Sequence, residues 1–420
     1  MKSTRAQKLL FLVALFWLAI ILRSIIATLP PVLPTVQHQL NLSNELAGAT
    51  TTIPLICFGV FAFVTPSIQK RLGITASMTL ALVLITIGTL IRALPYSSVL
   101  IFSSLCIGIG TSIANVLFAV TLRAHYPHKI AWAMGIFTFI VNIGSGIGAM
   151  SVPFLVSYGF SWNLALSLWS IPSVLTIFFW LISHAGVIKL PSLRKKKKSK
   201  NSNEDFYVPD GNEEKMAEVK YIPMRELLVM PLAWTIALFM GIQSLIYYNF
   251  MTWLPTIFES TGFSVKTNSI LFTTFNTIAI FGSLLAPFLF NAKNYKLAST
   301  VFYGIYIITA LCFPIGGTLA IIASVIAGIC QGVTYPVGLT LIASHPDKTI
   351  ISSISAFTQG VGYIIAAIGP ILMGALYSLS GNWWVPTFSI VIAMVLNCLS
   401  FIICRKQMNE ASKKYNISEQ

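Results

Sequence analysis

Arg23 follows fourteen uninterrupted apolar residues, Leu9 to Leu22, and a further apolar stretch follows it. A charged side chain near the middle of an apolar helix costs about 2.5–3.5 kcal/mol to insert into a bilayer, so it has to face a cavity or a partner. Its planar guanidinium can hold a carboxylate or similar oxyanion through two hydrogen bonds. The groups that would neutralise it internally are missing from the apolar runs. Glu45, Glu226, Glu259 and Asp347 fall in loops or just outside the runs, and the other acidic residues lie in a central loop and the C-terminal tail. His38, His125, His128, His184 and His345 likewise stand in loops or at run ends. An anion arriving from solution is therefore the natural counter-ion for Arg23.

Polar side chains inside the apolar runs form the second group of candidates: Asn115, Asn142, Gln243, Tyr247, Tyr248, Asn276, Gln331, Gln359 and Tyr363. Each can be hydrogen-bonded glue between helices or a ligand contact, and either reading satisfies a polar group in hydrocarbon. Gln359 and Tyr363 are four residues apart, which places them on one helix face. Tyr248 lies seven residues before Pro255, as Arg23 lies seven before Pro30. The expected binding set is Arg23, Asn115, Asn142, Tyr248, Gln359 and Tyr363. Arg92, close to the end of its run, is expected to snorkel to the membrane interface.

Other chemistry has no support. Catalysis would need a nucleophile–base pair or metal ligands at one depth, and the runs contain neither. Cys57, Cys106, Cys312, Cys330, Cys398 and Cys404 include no CxxC pair and have no histidine at ligand spacing, so neither a disulfide framework nor a metal site is indicated. Gly144, Gly146, Gly148, Gly328 and Gly332 suit close helix packing, since no Gly-Lys-Ser/Thr follows them. No cofactor is expected.

The elements that carry these residues follow from composition. Of 420 residues, 27 are Lys or Arg and 12 are Asp or Glu, and 56% are hydrophobic. A soluble domain carries about 25% charged residues; this chain carries 9%. Twelve apolar runs of roughly 20 residues, each long enough to cross about 30 Å of hydrocarbon as a helix, are read at 9–31, 47–66, 74–94, 98–121, 131–154, 162–186, 230–254, 268–290, 297–315, 318–342, 351–375 and 383–404. The basic residues outside them cluster in the even-numbered loops and both tails, 24 against 1 in the odd loops. That bias places both termini in the cytoplasm of a multi-pass inner-membrane protein. It also explains the net charge of +15 as an orientation signal rather than a nucleic-acid footprint. Membrane lipids and a small solute are the expected partners, and a monomer is the expected state.

The chain also repeats itself. Thr121-Leu-Arg-Ala-His-Tyr-Pro127 and Thr340-Leu-Ile-Ala-Ser-His-Pro346 share four of seven positions. Asn142 precedes Pro153, and Gln359 precedes Pro370, by the same eleven residues. The sixth loop, with its Arg194–Lys200 basic cluster and an acidic stretch after it, separates six runs from six. The expected organisation is an N-terminal six-helix bundle (1–188), a cytoplasmic linker (189–228), a C-terminal six-helix bundle (229–404) and a cytoplasmic tail (405–420). Together these describe an all-α membrane protein with twelve transmembrane helices in two pseudo-symmetric bundles, the major facilitator architecture, with a solute path between the halves.

Several stretches resemble the cyanate porter family of the major facilitator superfamily, which includes nitroimidazole-transport relatives. They are Leu22-Arg23 with Pro30, Pro31 and Pro34; Asn115-Val-Leu with Arg123 and Tyr126-Pro127; Trp253-Leu-Pro255 after Gln243-Ser244 and Tyr247-Tyr248; Gln331-Gly332 with Tyr335-Pro336; and Gln359-Gly-Val-Gly-Tyr363 with Gly369-Pro370 and Gly381-Asn-Trp383. Two departures are visible: Lys70 stands where the superfamily usually carries an Asp, and Phe118-Ala119 replaces a proline expected after Asn115-Val-Leu. The resemblance implies a secondary transporter of a small anionic or polar solute, not an enzyme. A multidrug-type exporter is the rival within transport, and a membrane sensor or enzyme the rival outside it.

Overall fold

The computed structural model describes residues 5–125, 130–183, 224–290, 293–345 and 350–418. The basic cluster of the central loop, Tyr126-Pro127, His128, Lys129, His184, Pro346, Asp347 and Lys348 lie outside the described residues. The elements are α1 (Arg5–Ala27), a 3-10 turn (Pro30–Val32), α2 (Leu33–Leu40), α3 (Asn44–Leu72), α4 (Ile74–Ile91), α5 (Ser97–His125), α6 (Ile130–Ser157), α7 (Trp162–Ser167), α8 (Ser170–Ser183), α9 (Met224–Leu228), α10 (Pro231–Ser260), α11 (Val265–Phe290), α12 (Tyr295–Cys312), α13 (Gly317–Ala343), α14 (Ile351–Ser380) and α15 (Trp384–Ser418). Among the described residues twelve spans are long and apolar enough to cross a membrane. Helices are the solution because a spanning segment must satisfy every backbone polar group internally.

Proline chemistry explains where the spans differ from smooth apolar runs. The first span, Leu9–Leu40, is interrupted between α1 and α2. Pro30 and Pro31 lack the amide hydrogens that would continue α1, and the chain crosses the gap in a 3-10 turn. The sixth span divides into α7 and α8 just before Pro172, which has no amide hydrogen for the Leu168 carbonyl; that carbonyl accepts from the Ile171 amide at 3.0 Å instead. Ser43 caps α3, its hydroxyl accepting from the Leu46 amide at 3.3 Å. Glu45, expected in a loop, is thus in the first helical turn, where a negative charge meets the positive end of the helix dipole. The last helix continues to Ser418, well past residue 404.

Pairing of the helices reproduces the sequence repeat. In the first half α1 packs on α6 and α8, α5 on α3 and α4, and α4 on α8. In the second half α10 packs on α14 and α15, α13 on α11 and α12, and α12 on α15. Matching the spans in order (first with seventh, second with eighth, and so on) carries each of these pairs onto its counterpart. The halves meet through α3 against α14 and α6 against α11, and this pair of contacts also maps onto itself. Large apolar residues such as Phe178, Phe281, Ile308 and Ile392 are exposed on the outside, the surface that lipid would cover.

Arg92 corrects the sequence reading. It does not snorkel: its side chain is only 4% exposed. Nε donates to Ser103 Oγ at 3.2 Å, and Nη1 to the Ile25 carbonyl at 3.4 Å. Ile25 lies in the last turn of α1, where carbonyls lose their helical partners and the helix dipole is negative. The end of α1 therefore supplies the acceptor that draws Arg92 inward, a carbonyl that also accepts from Thr28 Oγ1 at 2.8 Å.

Candidate functional site

A cavity of about 710 Å³ lies between the halves, walled by residues of α1, α3, α5 and α6 from one half and α10, α11, α13 and α14 from the other. Arg23, Asn115, Asn142, Tyr248, Gln359 and Tyr363 all line it. The sequence candidates, scattered over more than 300 positions, are thus brought to one wall. Phe58, Phe137, Ser145, Phe275 and Ser355 line it as well. Nothing in their sequence context separates them from lipid-facing neighbours. Tyr335 also lines it; the sequence marks it only through its proline neighbour.

Close helix packing sets the position of Arg23. Ser24 faces α6, its hydroxyl within 2.6 Å of the Ile20 carbonyl and 2.7 Å of the Gly144 carbonyl. A Cβ on Gly144 would sit 2.7 Å from the Ile20 carbonyl oxygen, and one on Gly148 would sit 2.5 Å from that of Ser24. These glycines let α1 approach α6 at backbone distance. With Ser24 held against α6, half-buried Arg23 turns into the cavity. Its Nη1 donates to Tyr248 Oη at 2.9 Å, across the two halves. Its Cζ lies 4.9 Å from the ring centroid of Tyr247 and 5.6 Å from that of Tyr248. Both fall within the roughly 6 Å reach of a cation–π contact.

No acidic side chain joins this cluster. The described acidic residues are Glu45, Glu226, Glu259 and Glu410, and none lines the cavity. Among the described residues the one ion pair, Lys406 with Glu410 at 4.0 Å, is on the exposed part of α15. Among the described residues Arg23 is the sole charged residue of the cavity wall. No group of three or more His, Cys, Asp or Glu among the described residues could hold a metal.

Hydrogen bonding separates glue from open groups. Gln331 Oε1 accepts from Tyr306 Oη at 2.6 Å. Gln243 Nε2 donates to Ser244 Oγ at 2.6 Å, and Thr334 Oγ1 bridges towards Gln243 Oε1 at 3.4 Å. This network ties α10, α12 and α13 together. Asn276 Nδ2 donates to the Phe272 carbonyl at 2.9 Å, and its oxygen is approached by Tyr247 Oη at 3.4 Å and by Ser145 Oγ at 3.5 Å from the other half. Gln359, which lines the cavity, donates from Nε2 to Ser355 Oγ at 2.9 Å, and its oxygen has no hydrogen bond among the described residues. The side chains of Asn115, Asn142, Tyr335 and Tyr363 make no hydrogen bond among the described residues, yet all four line the cavity.

The cavity is one-sided. Its lining runs from Arg23 and Tyr248 toward Phe137, Ser283, Leu339 and Ile351, which lie on the side of the bundle where α1 begins and α15 ends. On the opposite side the halves close on each other. Thr52 Oγ1 donates to the Ala367 carbonyl at 2.9 Å, and Asn44 Nδ2 to Ser378 Oγ at 3.1 Å. Gly48 fits against the Pro370 carbonyl, and Gly374 against that of Asn44.

The Major Facilitator Superfamily family model matches residues 12–370. The chain is 28% identical over 407 residues to the 2-nitroimidazole transporter of Escherichia coli (strain K12), covering 95% of each chain. It is 24% identical over 398 residues to the cyanate transport protein CynX of the same organism, covering 93% of this chain and 96% of the relative. In three dimensions it is similar to a bacterial homologue of the human lysosomal transporter Spinster, crystallised inward-facing and unoccupied, with a TM-score of 0.70, 16% identity and 98% coverage of both chains.

Proposed function

The chain belongs to the major facilitator superfamily and is a multi-pass membrane protein and secondary transporter, and from that premise we propose that it moves a small anionic or polar solute by alternating access, with Arg23 as the solute's counter-charge. One observation carries the reading: among the described residues Arg23 is the single charged residue of the cavity wall, and no described carboxylate neutralises it. An unpaired cation held away from bulk water is costly, and a bound anion relieves that cost. Tyr248 and Tyr247 orient the guanidinium, and the unbonded side chains of Asn115, Asn142 and Tyr363, with the free oxygen of Gln359, supply the polar contacts that fix a solute. The one-sided cavity and the tight α3–α14 contact beyond it suit one end state of a rocking cycle about a midplane site. The distribution of basic residues supports an inner-membrane protein with cytoplasmic termini and a cavity that faces the cytoplasm. With no Asp, Glu or His on the described cavity wall, a coupled proton would travel on the solute.

The relatives' names fit this reading, since 2-nitroimidazole and cyanate are both small solutes. An exporter of lipophilic cations would need an acidic group at the site, and the described wall has none. The deciding experiment is uptake or counterflow in proteoliposomes with a panel of small anions and lipophilic cations. Anion movement lost in Arg23→Ala, with folding retained, is the expected result. Full activity in that variant, or movement of cations alone, refutes the proposal.

A further inference from the structure

Around Arg23 the cavity is built from rings. The electrostatic neighbours of the guanidinium are Tyr248, Tyr247, Tyr363 and Tyr335. Tyr247 covers one face of it, and Tyr248 takes one of its N–H groups. A guanidinium has five such donors, so an edge remains free for an oxyanion. Tyr335 and Tyr363 add two phenol hydroxyls that have no partner among the described residues and open on the same cavity. Tyr363 from one half stacks on Phe58 from the other, centroids 5.0 Å apart and planes 26° apart. The wall thus offers one positive charge, hydroxyl donors beside it, and an aromatic pair contributed by both halves, of which half-buried Tyr363 is the more accessible and Phe58 is 7% exposed.

Resting on the anion reading above, we infer that the solute is a planar aromatic monocarboxylate: its carboxylate lies on the Arg23–Tyr363 side and its ring lies against the Phe58–Tyr363 surface. Charge sets the first limit. One guanidinium neutralises one negative charge, and a dianion such as a phosphate monoester would carry a second into a wall that has no other cation among the described residues. Ring chemistry sets the last. Offset or edge-to-face packing of a solute ring on Phe58 and Tyr363 adds attraction that a saturated ring of equal size and charge cannot match.

The test is thermal stabilisation of the purified full-length protein at pH 7 by benzoate, cyclohexanecarboxylate, phenyl phosphate and cyanate, since a ligand stabilises with the logarithm of its concentration relative to its Kd. Benzoate is expected to bind about two- to tenfold more tightly than cyclohexanecarboxylate, with phenyl phosphate and cyanate weaker than both. Tyr363→Leu should erase the gap between the two acids, and Tyr363→Phe should keep it while weakening both. Arg23→Gln should abolish binding of both. Equal binding of the two acids by the wild-type protein overturns the inference, as does preference for phenyl phosphate. Stabilisation by cyanate alone also overturns it, while leaving the anion reading of Arg23 intact. If none of the anions stabilises the protein, both fail.

Discussion

A valine wedge at Gly48 tests whether the α3–α14 contact is the closed gate of the cavity. A Cβ at this position would stand 2.5 Å from the Pro370 carbonyl oxygen and 2.8 Å from its carbon, where ordinary contact begins at 3.4 Å. Backbone cannot move aside as a flexible side chain can, so the two helices must part by about 1 Å in the Gly48→Val variant. Overpacking of this kind costs about 1–3 kcal/mol. That cost falls only on the conformation in which the helices touch, so the population with the gate apart should rise about 5- to 150-fold. Thr52 provides the reporter. It is 3% exposed and bonded to the Ala367 carbonyl across the same contact. Thr52→Cys, in a background with the six native cysteines replaced, should react slowly with a membrane-impermeant maleimide. Adding Gly48→Val should accelerate the reaction by the same factor as the population. Gly304→Val is the control, because a Cβ there meets nothing within 4 Å. An unchanged rate in the folded double variant would refute the gate, as would equal acceleration by the control.

Other perturbations probe the parts that hold the site. Tyr248→Phe keeps the ring under the guanidinium but removes the 2.9 Å bond; because water can replace the hydroxyl, affinity for a bound anion should fall by roughly 1 kcal/mol, about fivefold, in a thermal-shift titration. Gly148→Val drives a methyl group into the Ser24 carbonyl and should displace α1, abolishing transport in proteoliposomes at a stability cost of about 1–3 kcal/mol. Arg92→Leu removes the guanidinium's bonds to Ser103 and to the Ile25 carbonyl, although Ser103 still donates to the Leu100 carbonyl and Ile25 still accepts from Thr28 Oγ1; unfolding should become easier by about 1–3 kcal/mol, measured by thermal denaturation. Tyr306→Phe releases the oxygen of Gln331 and should lower stability by about 1 kcal/mol while leaving anion affinity within about twofold.

The spans and their duplication were legible because the bilayer imposes length, apolarity and charge bias directly on the chain. Arg23 stood out for the same reason: a charge in an apolar run has few explanations. Its nearness to Tyr248 could be read from the equal spacing to Pro30 and Pro255, which puts the two residues at equivalent depths, although α10 runs on through Pro255 to Ser260 whereas α1 stops at Ala27 before Pro30. The fate of Arg92 could not be read. Its acceptor is a backbone carbonyl freed on another helix, and carbonyls carry no mark in a sequence. Likewise, Gln331 and Gln359 look alike in sequence, but the oxygen of one is fastened to Tyr306 and that of the other has no hydrogen bond among the described residues. Phe58 and Phe275 were hidden because hydrocarbon and a ring-lined cavity select the same residues.

The bond between Arg23 and Tyr248 spans 225 positions, the same interval that separates Pro30 from Pro255. Its two ends are therefore the same site counted once in each half, meeting where the pseudo-twofold axis passes. An assembly of two identical halves would have to put the same side chain there twice: two guanidinium groups that repel, or two phenols with no charge between them. Joining the halves in one chain lifts that restriction. A donor can then face an acceptor on the axis, and a single charge can sit where both halves reach it during an exchange of their tilt. On this geometry, the asymmetry needed to hold one solute resides in one pair of side chains, and the near-symmetry needed to rock around it is left to the rest of the fold.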